Sequence, residues 1–88
     1  MQVVGSIVEE QGIRFAVLQV PAYRVESQQE AEEAIASYAR LFPSLPVVLM
    51  AVGGAAGTTY WGRQDLASFM ARQPPASITW QKFSFARA

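Results

Sequence analysis

The sequence contains no cysteine and no histidine. The first absence removes disulfides, thiolate zinc sites, iron–sulfur clusters and thiol nucleophiles. The second removes imidazole ligands and every histidine-based triad, together with the side chain that most often moves protons near neutral pH. Lysine occurs once, at Lys82, and aspartate once, at Asp65. Charged residues make up 16% of the chain, against about 25% in an ordinary globular domain. Seven basic and seven acidic residues cancel. The basic ones (Arg14, Arg24, Arg40, Arg63, Arg72, Lys82 and Arg87) are scattered and form no basic face, which argues against nucleic acid or an anionic membrane as a partner. No run approaches the roughly 20 apolar residues of a membrane-spanning helix. Met1 to Gly5 has no basic stretch leading into an apolar one, so no secretory signal is read and a cytoplasmic location is expected.

What is present is apolar: 51% of the 88 residues. A chain of this length makes one domain, residues 1–88, burying about 60–65% of the surface its unfolded form exposes. A small protein near zero net charge, short of charged residues and with apolar ones to spare, tends to associate, so a homo-oligomer is expected, a dimer first.

Val3 to Val8 and Ile13 to Val20 read as β-strands, joined through Glu9-Glu10-Gln11-Gly12 by a three- to five-residue hairpin loop in which Gly12 takes a positive φ. Apolar residues fall on both faces of the second strand, and Pro21 ends it. Ser27 to Phe42 reads as a helix. Ser27 and Glu30 have capping-box spacing, so each side chain can satisfy the other's free backbone N–H. Ala31, Ala34, Ile35, Tyr38, Leu41 and Phe42 form one apolar stripe, and Pro43 stops the helix.

Val47 to Val52 is six apolar residues in a row, the pattern of a strand buried on both faces. Gly53 to Gly57 is a turn, and Thr58 to Trp61 a short strand returning antiparallel. Gly62 is read as the cap of a second helix running to about Arg72, with Leu66, Phe69 and Met70 inward and Pro74-Pro75 beyond it. Ile78 to Phe85 is the last strand. Its alternation changes phase: Ile78 and Trp80 share one face, Phe83 and Phe85 the other. Either a bulge near Gln81-Lys82 restores a single face, or the two faces bury against different things, one of them a second subunit. The expected fold is α+β: one small domain in the order β-β-α-β-β-α-β, a mixed sheet with two helices packed on it.

Three places carry candidate chemistry. The Gly53–Gly57 turn follows a buried strand, as phosphate-binding loops do. It lacks the Gly-Lys-Ser/Thr ending and the dinucleotide spacing, and a strand follows it, so a hairpin turn fits better. Glu26, Glu30 and Glu33 share a helix face and could hold a hard cation, but a dipole-matched helix start explains them without a ligand. No metal or cofactor is expected.

Tyr60-Trp61-Gly62-Arg63 is the most informative segment, because tyrosine, tryptophan and arginine dominate binding hot spots. Arg63 stands at a helix start, where the dipole disfavours a cation, and with the free N–H groups there it could hold a carboxylate or phosphate. Ordinary packing of the two aromatics is the competing explanation. Trp80, Phe83 and Phe85 are candidate interface residues, since an aromatic, nearly uncharged terminal strand at a sheet edge can pair with its copy or with another protein.

With the common acid–base and nucleophilic side chains missing, the chain is not expected to be an enzyme. The expected role is a non-catalytic, self-associating protein–protein interaction module. The alternative is a small-molecule or anion-binding domain built on the Gly53–Gly57 turn and Tyr60-Trp61-Gly62-Arg63.

Overall fold

The computed structural model describes residues 2–54, 57–74 and 77–85. Strands β1 (Gln2–Glu10) and β2 (Ile13–Pro21) form an antiparallel hairpin. Its loop is tighter than expected. Glu9 and Glu10 belong to the strand, and only Gln11 and Gly12 turn, with φ of 50° and 81°. Two consecutive positive φ values match the right-handed twist of the flanking strands, which is why a two-residue loop suffices.

After β2 a short 3-10 turn, Ala22–Arg24, drops Val25 into the core. Helix α1 (Gln28–Ala39) follows. Its capping box forms with a shift of one residue. Ser27 Oγ accepts from the Glu30 N–H at 3.1 Å, while the Glu30 carboxylate accepts from the N–H of Glu26, at 3.0 Å, and not from that of Ser27. The helix ends three residues before Phe42, and the chain continues in i→i−3 bonds from Leu41 to Tyr38 and from Phe42 to Ala39. That tighter winding is common where a proline, here Pro43, stops the helix.

β3 (Val47–Gly54) lies parallel to β2, and β4 (Gly57–Trp61) antiparallel to β3. Helix α2 (Gln64–Ala71) leads to the last strand, β5 (Gln81–Ser84), which pairs antiparallel with β1. The spatial order is β4-β3-β2-β1-β5. This is an α+β domain: a five-stranded mixed sheet with two helices, in the expected order apart from the 3-10 turn.

Side chains alternate across the sheet, so each face has its own core. On one face Ala16, Leu18, Val20, Val47, Leu49 and Ala51 pack with Ala31 of α1 and with Phe42. On the other, Phe15, Val17, Val48 and Met50 pack with Leu66 and Met70 of α2. The helices therefore lie on opposite faces, and β2 and β3 are covered twice. Five of the six apolar residues in the β3 run, Val47 to Ala51, are buried by that double coverage; Val52, at the end next to the Gly53 turn, is exposed.

β5 is shorter than expected, and its phase change has no bulge behind it. Gln2↔Ser84, Val3↔Phe83, Val4↔Lys82 and Gly5↔Gln81 pair without interruption. Ile78 and Trp80 precede the strand and pack on the α2 side. Phe83 and Phe85 lie on the α1 side, each edge-on to Phe42 at ring centroid distances of 5.5 and 5.6 Å. The two faces do bury against different things, and both belong to the same chain. No helix among the described residues is long and apolar enough to cross a membrane.

The capping geometry sets an expected cost. Ser27→Ala should remove about 1 kcal/mol of stability, lowering the midpoint of thermal unfolding by roughly 4–8 °C for a domain of this size. Circular dichroism at 222 nm (a helix-sensitive wavelength) follows it.

Candidate functional site: a groove along the free edge of β4

Among the described residues β4 pairs with β3 on one side only, and its other edge carries no strand. The chain reverses into it through Gly53 and Gly57, with φ of 85° and 81°, and Gly54 pairs with Gly57. Ala55 and Ala56, the tip of the expected glycine turn, lie outside the described residues. The ends of the turn form a hairpin. The hollow beside them is lined by Glu26 and by no basic side chain among the described residues, which is the wrong polarity for a phosphate.

Because β4 is an edge strand with a helix set on each side of the sheet, the space along it is a groove of ≈ 860 Å³. Thr58 to Trp61 form its floor. One wall comes from Glu32, Ile35 and Ala36 of α1, the other from Ala67, Ser68 and Ala71 of α2. Small side chains on these helix faces keep the walls apart.

All four residues of the Tyr60–Arg63 segment line this groove. They point in different directions. Trp61 pairs with Leu49 and Thr59 with Ala51, so both project to the α1 side, where Trp61 Nε1 donates to Thr59 Oγ1 at 3.3 Å. Tyr60 pairs with Met50 and projects to the α2 side, its hydroxyl donating to Met50 Sδ at 3.4 Å. Burial pushes the Tyr60 phenol pKa up from its ordinary value. Each aromatic is half-buried and closes one of the two cores at its rim.

Gly62 does not cap α2. The N-cap is Arg63, and no side chain bonds the free N–H groups from that position. Gly62 is needed for another reason. Its φ is 146°, and a Cβ there would lie 2.9 Å from the Val47 carbonyl oxygen. Only glycine lets the chain leave β4 this close to β3.

The anion expected near Arg63 is supplied by the chain itself. Arg63 Nε and Nη2 donate to Asp65 Oδ1 and Oδ2 at 2.9 and 2.7 Å, a two-pronged ion pair in the first turn of α2. The Arg63 guanidinium, with a smaller contribution from the backbone at Leu66 and Asp65, holds the Asp65 carboxyl pKa below the ordinary carboxylate range. A cation at a helix start is unfavourable alone, and Asp65 cancels it.

The other candidate interface residues, Trp80, Phe83 and Phe85, stand at or beside β5, the opposite edge of the sheet. The two predicted sets are not brought together. The acidic set at α1 is used locally: Glu30 bonds the Glu26 N–H, and Glu33 accepts from Gln29 Nε2 at 3.2 Å. Among the described residues no three metal-ligating side chains converge. The groove walls, Ala36, Ala67, Ser68 and Ala71, went unpredicted. Their spacing marks them as the sides of two helices, but which strand edge they flank depends on strand order.

Comparison with family models, with curated proteins and with solved structures finds no match to the chain.

Two outcomes follow from this geometry. Gly62→Ala should destabilise by about 1–3 kcal/mol, seen as a lower urea midpoint. Asp65, being depressed, contributes stability that is present above its unfolded-state pKa and lost as pH falls through its lower folded value. The Asp65 carboxyl, followed by NMR, should therefore titrate below the ordinary range, and Arg63→Ala should move it back up. An unchanged titration in that variant would show that the ion pair does not form in solution.

Proposed function

We propose that the chain is a non-catalytic module, acting in the cytoplasm, that associates with copies of itself and presents the assembly to protein partners. The observation that supports this reading is the edge of β4. Exposed strand edges are usually blunted by charge, by proline, or by a covering element. Gly57-Thr58-Thr59-Tyr60-Trp61 has no charge and no proline, and the helices flank its edge without covering it. The other edge, β5, is four residues long and carries Lys82. Low charge content and zero formal charge remove the long-range repulsion that keeps many small domains apart.

The alternative, a small-molecule or anion-binding domain, is favoured by one observation: Tyr60, Trp61, Gly62 and Arg63 all line a single groove. Its volume falls within the roughly 300–1,000 Å³ of ligand pockets. Against it, the groove runs open along a strand edge, and the Arg63 charge is already matched by Asp65. On that reading, anionic metabolites shift Trp61 emission and Arg63→Ala abolishes the shift. On the self-association reading neither changes.

Light scattering behind a sizing column, over a wide concentration range, tests the main reading. The expected mass rises from 9.6 kDa toward twice that value as concentration increases. A mass fixed at that of the single chain overturns it.

A further inference from the structure

We propose that the partner at the β4 edge is a second copy of this chain, paired antiparallel through β4 about a two-fold axis that runs through Thr59 normal to the sheet. The two five-stranded sheets then join into one of ten strands. This inference rests on the self-association reading and specifies its surface and register.

The first argument is closure. The sheet has two edges, so three edge pairings are open to identical copies; β5 to β5 also closes at two, but that edge is four residues long and would set Lys82 near its own copy. Joining β4 to β5 of the next copy is head-to-tail and propagates into a filament. Joining β4 to β4 is isologous and stops at two. The outer edges of the pair are then both β5, each short and carrying Lys82. A lysine on an edge strand is a standard device against further pairing, and an open twisted sheet rarely exceeds about ten strands.

The second argument is shape along the strand. An axis through Thr59 sets Thr59 opposite its own copy, Thr58 opposite the second copy's Tyr60, and Gly57 opposite its Trp61. The largest side chain of the strand meets the residue without one, and the second largest meets a threonine. Aromatic side chains across from an edge glycine cover its bare backbone, and threonine pairs across strands are favourable. An axis normal to the sheet keeps each face on its own side, so Trp61 stays on the α1 face. The groove walls admit the incoming edge because Ala36, Ala67, Ser68 and Ala71 are small.

The third argument is charge. Among the described residues lining the groove only Glu32 and Arg63 are charged, and Arg63 is held by Asp65. A strongly acidic partner finds no spare counter-charge here and a basic one finds only Glu32, whereas a copy of this uncharged strand needs none.

Thr59→Lys and Thr59→Glu place like charges opposite each other across the axis. Each alone should weaken dimerisation by about tenfold or more, and an equimolar mixture of the two should restore it. Circular dichroism checks that both fold. Because the chain has no cysteine, Thr59→Cys gives an independent reading that does not depend on charge. Under mild oxidation it should cross-link at least about tenfold faster than Lys82→Cys on the β5 edge, since pairing holds the two sulfurs at high effective concentration. A wild-type chain that stays monomeric overturns the self-association reading and this inference together. A wild-type dimer that survives both charge variants, with Thr59→Cys no faster than Lys82→Cys, overturns the β4 pairing and leaves self-association standing.

Discussion

Everything in this domain depends on burying β2 and β3 on both faces. Their side chains alternate between two cores, and neither core exists without its own helix. Phe15, Val17, Val48 and Met50 need Leu66 and Met70 above them, and Leu18, Val47, Leu49 and Ala51 need α1 below. Double coverage explains why so many residues of a short chain are apolar and so few are charged. A three-layer domain of this length has little surface left over from its cores.

The same constraint leaves the sheet edges uneven. The helices cover the centre, so the outer strands must manage their own exposure. β5 does this with aromatic side chains that turn back onto the chain: Phe83 and Phe85 reach Phe42. β4 does it only in part. Trp61 and Tyr60 turn to opposite faces and close the rims of the cores, but among the described residues no strand pairs with the outer side of Gly57–Trp61. Function is therefore best sought where packing is complete and hydrogen bonding is not.

Local features were legible in the sequence. The Ser27 cap, the apolar run of β3, the β3–β4 reversal and the inward stripe of α2 all depend on neighbours a few residues apart, and periodicity and capping chemistry report such neighbours directly. What was illegible depends on strand order. The phase change between Trp80 and Phe83 looked like a bulge or a subunit contact because sequence alone does not show that Phe42 waits on one face and the α2 core on the other. Arg63 looked like an anion site because the two-residue spacing to Asp65 matches no helical rule. The bond forms across the kink where β4 ends and α2 begins, at Arg63 with ψ of 129°. The sequence marks Gly62 as special but not why, since its close neighbour, Val47, is distant in sequence.

The pairing of β1 with β5 joins Gln2 to Ser84, nearly the full span of the chain. A chain emerging from the ribosome can complete the β1–β2 hairpin early, yet the outer side of β1 stays bare until the last strand is made. Phe42 waits equally long for Phe83 and Phe85. During synthesis the nascent domain therefore exposes the Gln2–Gly5 edge of β1 and one side of the Phe42 ring, which the finished fold covers.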